Sequence, residues 1–248
     1  MTSLSWSLTR SGGYSTTIVR GAQITYTRRV VAAPSSLTLE RGLRVLRVLA
    51  EHPEGMTVSE LADALGTHRA GIYRLLGPHL AERFVRRRDD RYFLGTGLVE
   101  LASRVRPRLQ EAAGPLLQAL ADELHATAAL TVRDGEDAAV VLDVRSPRHA
   151  DMHIAYRPGL RHPVAIAASG IAILAGAPAR RTERAEVAVA RERGWARSTG
   201  ELLPGASGVA APVGDTDAAV SAVWIGERDE PAMARAVIAS ARALADAL

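Results

Sequence analysis

Residues 57–76 read TVSELADALGTHRAGIYRLL, and the spacing within this stretch decides the fold. Thr57-Val58-Ser59-Glu60 has the form of a capping box, in which the Thr57 hydroxyl and the Glu60 carboxylate satisfy orphan amides reciprocally. Met56 and Leu61 stand at the staple positions around it. Leu61, Ala62 and Leu65 form the inward stripe of a helix that stops at Gly66, and Thr67 is placed to cap the next one. The stripe of that second helix is Ile72, Leu75 and Leu76. Upstream, Leu39, Leu43, Leu46 and Ala50 fall at helical spacing, and His52-Pro53-Glu54-Gly55 ends that segment. Two helices joined by a short glycine turn, after a third, predict a helix-turn-helix.

The following residues extend it. Phe84–Arg88 and Arg91–Leu94 flank Asp89-Asp90, a pair that tolerates the left-handed backbone of a tight hairpin. A basic hairpin after a helix-turn-helix is a wing. With Ile72, Leu75 and Leu76 turned inward, the outer face of the second helix carries Arg69, Ala70, Tyr73 and Arg74, with His68 at its start and Gly71 on the flank. Arginine can fork onto guanine O6 and N7 in a major groove. Arg74, Tyr73, the Thr67 hydroxyl and the first helical amides suit phosphates. Glycine within a helix costs about 1 kcal/mol against alanine. Gly71 and Ala70 are therefore expected either to admit the backbone close to the sugar–phosphate wall or, for Gly71, to be a neutral choice on a tolerant surface. Arg86, Arg87, Arg88 and Arg91 on the wing are expected to give salt-sensitive phosphate or minor-groove contacts, the alternative being a solvated charge run.

Charge supports this division. Residues 1–36 carry four arginines and no acid, residues 37–106 carry twelve arginines and nine acids, and residues 107–248 carry fifteen arginines and eighteen acids. A basic front and an acidic back place any polyanion on the front. All 31 basic residues are arginine, and there is no cysteine, which excludes disulfides and thiolate metal sites. No apolar run reaches the roughly 18 residues of a membrane span, and no apolar leader is evident, so a cytoplasmic protein without a membrane role is expected.

Residues 1–36, rich in Ser, Thr, Arg and Gly, read as a disordered N-terminal extension, or as residues upstream of the true start. The winged helix-turn-helix is expected over 37–95. A linker helix over 96–107 is expected from Leu98, Leu101, Ala102 and Val105, ended by Pro107, and a further domain over 108–248. That domain opens on a helix bearing Leu116, Leu117, Leu120 and Leu124. Strands are predicted at 128–133, 138–144, 152–157, 207–213 and 219–225, with helices at 167–176, 182–193 and 231–248. Helices on a largely antiparallel sheet make an α+β domain, suited to a small-molecule pocket.

Several stretches resemble the IclR family of transcriptional regulators: LERGLRVLRVLAEHPEGMTVSELADALG (39–66), IYRLL (72–76), RYFLG (91–95), GLRHP (159–163), ASGIAILAG (168–176), RGWARSTGE (193–201) and GVAAPV (208–213). The resemblance implies a winged helix-turn-helix, a linker helix that pairs protomers, and a C-terminal GAF-like effector-binding domain, in a dimer or a dimer of dimers. It adds Thr57 to the DNA-contacting set. It also places Ala168, Ser169, Ser198, Gly208, Ser221 and Val223 around an effector cavity, with the Ala168 and Ser169 amides at a helix start suited to a ligand carboxylate. Ala165, Ile166, Ile171 and Trp224 are expected nearby, favouring an aromatic or otherwise apolar acid. The chain departs from the family pattern at Ala70 and Gly71 (usually Ser/Thr), His79 (Leu), Arg83 (Gly), Ala165 (His) and Ile171 (Lys), and Gly77-Pro78 should kink the second helix.

The function implied is a ligand-responsive regulator binding a double-stranded operator, its affinity modulated by a small, carboxylate-bearing effector. The alternative is a small-molecule sensor or interaction module that has lost specific DNA binding. No enzyme is expected: there is no G-x-S-x-G elbow, and Ala168-Ser169-Gly170 and Ala206-Ser207-Gly208 offer no evident base. No cofactor and no metal are expected. His149, Asp151 and His153 share one face of an extended segment as a metal edge would, but such triplets are usually polar loops.

Overall fold

The computed structural model describes residues 36–149, 154 and 156–248, together with the backbone of three N-terminal strands. Those strands, β1 (Trp6–Arg10), β2 (Tyr14–Val19) and β3 (Gln23–Arg28), form one antiparallel meander. An arm read as structureless thus contains strands, on the β-branched runs Thr16–Val19 and Ile24–Thr25. The rest of the segment expected to be disordered lies outside the described residues. The chain forms two compact units, Val30–Pro107 and Arg108–Leu248, the latter taking in Met1–Arg29.

The first unit packs α1 (Leu37–Glu51), α2 (Val58–Leu65) and α3 (Arg69–Ala81) around Val45, Leu49, Leu61, Ile72, Leu76, Val85 and Tyr92. Its sheet joins β4 (Met56–Thr57), β5 (Val85–Arg88) and β6 (Arg91–Leu94) in the order β4-β6-β5. The Thr57–Glu60 capping box is present in both directions, and Gly66 closes α2 in the left-handed conformation. The hairpin pairs Arg88 with Arg91 around Asp89-Asp90, with φ +56° at Asp89.

Four expectations need correction here. The buried face of α1 is Gly42, Val45 and Leu49 rather than the stripe through Leu39, Leu43 and Ala50; Leu39 is 62% and Leu43 51% exposed. Val45 and Leu49 join Leu61, Ile72 and Leu76 in one core, and His79 on α3 donates from Nε2 to the Gly42 carbonyl on the same face at 2.9 Å. Helix α3 is capped at His68 without a side-chain hydrogen bond, so Thr67 does not cap it. It also runs unbroken through Gly77-Pro78. Proline there removes one rung, but Gly77 and Pro78 are exposed, so water can replace the missing donor. Finally, α4 spans only Gly97–Ala102, and Pro107 starts α5 (Pro107–Leu124) instead of ending a linker helix. Proline suits a first helical position because its missing N–H would be unpaired anyway.

The second unit is an antiparallel six-stranded sheet in the order β10-β11-β12-β7-β8-β9, with helices on both faces. Its strands are β7 (Thr127–Asp134), β8 (Ala138–Arg145), β9 (Arg161–Pro163), β10 (Ala196–Thr199), β11 (Ala206–Pro212) and β12 (Ala218–Ile225). Alternation along the strands sorts side chains between two cores. Leu130, Val132, Val209, Ala211, Val220, Ala222 and Trp224 pack with α5 and α8 (Glu230–Asp246). Ala139, Ala210 and Ala219 pack on the other face with α6 (Ala167–Gly176) and α7 (Ala185–Arg193). On the strand predicted at 152–157, Ile154, Tyr156 and Arg157 are not in a strand, and Met152, His153 and Ala155 lie outside the described residues. Gly170 sits where an added Cβ would stand 2.3 Å from the Val164 carbonyl, so only glycine lets α6 lie this close to the chain leaving β9.

Candidate nucleic-acid interface and ligand pocket

The outer face of α3 emerges as the burial pattern requires. Ile72 and Leu76 are fully buried, while His68, Arg69, Ala70, Tyr73 and Arg74 are exposed, Tyr73 to 58%. Arg69 reaches back to the Ser59 hydroxyl at 2.9 Å, which holds its guanidinium beside the start of α2. Thr57 and Thr67 are half-buried, and the Thr57 hydroxyl is engaged by the Glu60 amide. Gly71 has a neighbour that the sequence did not suggest: an added Cβ would come within 3.1 Å of the Thr67 hydroxyl.

The wing arginines divide. Arg86, Arg87 and Arg88 are exposed; Arg86 stacks 4.6 Å over the Phe93 ring and Arg87 lies 5.8 Å from that of Tyr92. The Arg87 Nε also donates to the Asp89 carbonyl, steadying the hairpin tip. Arg91 has partners within the protein: it donates to the Gly55 carbonyl at 2.7 Å and pairs with Glu60 at 3.4 Å, so it ties the wing to the start of α2. The Thr57 amide, then its hydroxyl, hold the Glu60 carboxyl below its usual range, and Arg91 adds to this.

In the second unit, Ala168, Ser169, Ser198, Gly208, Ser221 and Val223 all line one pocket of about 480 Å³, part of it open to solvent. They converge because the even-numbered face of β11 and the odd-numbered faces of β7 and β12 look toward the start of α6. The apolar neighbours expected there are elsewhere. Ile171 is in the core beneath α6, Trp224 is on the opposite face of the sheet, and Ala165 and Ile166 do not line the pocket. Val141, Leu160, Leu202 and Leu203 supply its apolar surface, with Tyr156.

Three polar residues in the lining had no role in the sequence reading. His162 is fully buried; its Nδ1 lies 2.9 Å from the Pro163 carbonyl and its Nε2 3.4 Å from the Ser169 hydroxyl. Burial pushes its pKa down, partly offset by the Pro163 hydrogen bond. Thr131, 1% exposed, also lines the pocket. Glu201 is the third. Its carboxylate accepts from the Ala167 amide at 2.7 Å and pairs with Arg184 at 3.0 Å, and the Ala168 amide donates to the Ser198 hydroxyl at 2.8 Å. The Glu201 and Glu186 carboxylates push the Arg184 pKa further up. Of the two α6 amides expected to receive a ligand carboxylate, those of Ala168 and Ser169, the first is therefore occupied by the protein itself. Ala167 holds φ +62° to present its amide to Glu201.

Ser169 does have a base within reach, contrary to the sequence reading. The ring is oriented by the Pro163 backbone carbonyl, where an acyl-transfer triad has a carboxylate. Among the described residues, no cluster of His, Asp or Glu could hold a metal ion; Asp151 and His153 lie outside them. No helix among the described residues is long and apolar enough to cross a membrane.

Comparison with known proteins joins the two units. Residues 38–89 match the IclR helix-turn-helix domain, and residues 103–186 match the bacterial transcriptional regulator IclR C-terminal domain. The chain belongs to the IclR family. It is 32% identical over 149 residues to the HTH-type transcriptional regulator Rv1719 of Mycobacterium tuberculosis, covering 59% of this chain and 57% of that one. It is 25% identical over 142 residues to the HTH-type transcriptional regulator TtgV of Pseudomonas putida, covering 56% and 54%. The match thus spans little more than half the length of either curated relative. Among solved structures, an IclR transcriptional regulator from Alicyclobacillus acidocaldarius superposes with a TM-score of 0.69 at 26% identity, over 86% of this chain and 99% of that one.

Proposed function

We propose that this IclR-family member is a ligand-responsive DNA-binding transcriptional regulator, acting in the cytoplasm without catalysing a reaction. Two copies, or a dimer of dimers, would present α3 to successive major grooves of a near-palindromic operator. The observation that carries the reading is the outer face of α3: Arg69, Tyr73 and Arg74 stand exposed above a core of Ile72 and Leu76, beside a wing with exposed Arg86, Arg87 and Arg88. A forked guanidinium reads base edges, while the wing arginines and the Thr67 hydroxyl take backbone phosphates. An effector in the second unit's pocket would shift the population between operator-fitting and non-fitting states by its differential affinity for the two.

A gel shift of the full chain against its own upstream DNA, over a salt series, tests this. A sequence-selective complex that weakens steeply with salt is expected. Arg74→Ala should weaken binding to all sequences, and Arg69→Ala should cost about 1–3 kcal/mol and relax selectivity at one base pair. Binding no better than to random DNA would instead favour a sensor module that has lost its operator.

A further inference from the structure

Among the exposed polar side chains on the outer face of α3, those of His68, Arg69, Tyr73 and Arg74, only that of Arg69 is hydrogen-bonded to another described residue. Its Nη2 donates to the Ser59 hydroxyl at 2.9 Å. Ser59 is the second residue of α2, half-buried, and its place is fixed from two sides. The reciprocal cap between Thr57 and Glu60 encloses it, and Glu60 is itself paired with Arg91 on the wing. Below it, Leu61 and Ala62 share a core with Ile72 and Leu76, which sets α2 against α3. An unheld arginine on a helix surface samples many rotamers, and binding must order them. Ser59 holds the Arg69 guanidinium before a duplex arrives. The guanidinium has five N–H donors, so this bond leaves enough for a fork onto a base.

The hydroxyl still has a hydrogen bond to give. It carries one proton and two lone pairs. Arg69 takes a lone pair, and the proton has no acceptor among the described residues. In a helix-turn-helix the helix before the recognition helix crosses the sugar–phosphate backbone, which offers only acceptors. Resting on the reading of α3 as the groove-facing helix, we infer that Ser59 is a positioning residue of the operator interface: it accepts from Arg69 and donates to a phosphate oxygen, joining a phosphate contact to a base contact. The phosphate polarises the hydroxyl and makes it a better acceptor for Arg69. At a wrong base pair the guanidinium must leave Ser59 to find partners, so one mismatch weakens both bonds.

Gel shifts of the full chain against its upstream operator, single-base variants of that operator and random DNA test the assignment. Ser59→Ala is expected to lower the operator-over-random affinity ratio about three- to tenfold. The loss should concentrate at the base pair whose discrimination Arg69→Ala also removes. The salt slope should stay that of the wild type, because a lost hydroxyl contact leaves the count of neutralised phosphates unchanged. The urea midpoint should also stay unchanged, and Ser59→Thr, which keeps the hydroxyl, should restore selectivity. In an Arg69→Ala background, Ser59→Ala should alter discrimination at that base pair no further. A Ser59→Ala chain as selective as the wild type, a loss spread evenly over the operator, or full additivity with Arg69→Ala would each overturn this inference alone. A wild type that binds its operator no better than random DNA would overturn the regulator reading, and this assignment with it.

Discussion

Arg83 occupies a backbone position with φ +58°, where the family pattern has glycine. An L side chain in that region costs roughly 1 kcal/mol, and its ion pair with Glu100, 3.6 Å long between largely exposed partners, returns little. Arg83→Gly should therefore raise the stability of the first unit by about 0.5–1 kcal/mol, read as a higher urea midpoint with an unchanged slope. Gly71 shows how a residue's reason can stay hidden in sequence. Alanine there would gain about 1 kcal/mol of helix propensity, but its Cβ would press on the Thr67 hydroxyl at 3.1 Å. Thr67 can rotate away, so Gly71→Ala should be near neutral for folding while turning the Thr67 hydroxyl from the groove side. Weakened operator binding at unchanged stability is the expected result. An unchanged gel shift would return Gly71 to a tolerant surface.

At the scale of the element, the capping box, the Asp89 turn and helix α6 were all legible, because each depends on residues a few positions apart. What the sequence did not yield was orientation. Helix α1 carries two apolar stripes, and Val45 and Leu49, rather than Leu39 and Leu43, meet Leu61, Ile72 and Leu76, which stand well along the chain. Arg91 was indistinguishable from Arg86 in a run of arginines, yet its partners Gly55 and Glu60 make it a clasp. Arg91→Ala should lower the stability of the first unit by about 1 kcal/mol, whereas Arg86→Ala and Arg88→Ala should leave stability alone and reduce the salt slope of DNA binding by about one each. Similarly, Glu201 was invisible as a pocket residue because its meaning depends on the Ala167 amide, 34 positions earlier. All six aligned pocket positions do meet at one cavity, since register along β7, β11 and β12 was implicit in the spacing of the matched motifs.

For the molecule as a whole, His162 predicts a pH dependence with a definite sign. Its folded pKa is depressed from 6.5 by burial, so the unfolded chain binds the proton more readily. The stability it allows is fully present above pH 6.5 and falls as the pH drops below that value toward the folded pKa. Chemical denaturation of the full chain should show the second unit weakening from about pH 6.5 downward, before carboxylates begin to titrate. His162→Gln should flatten the curve over that interval, and a slope unchanged by the substitution would assign it to other histidines. The six-stranded sheet has a further consequence at this scale. Its outermost strands are its shortest, β9 with three residues and β10 with four, against seven or eight for each of those between. So little open ladder at either border gives a stray polypeptide almost nothing to zip onto, and concentrated preparations should resist fibril growth through this sheet.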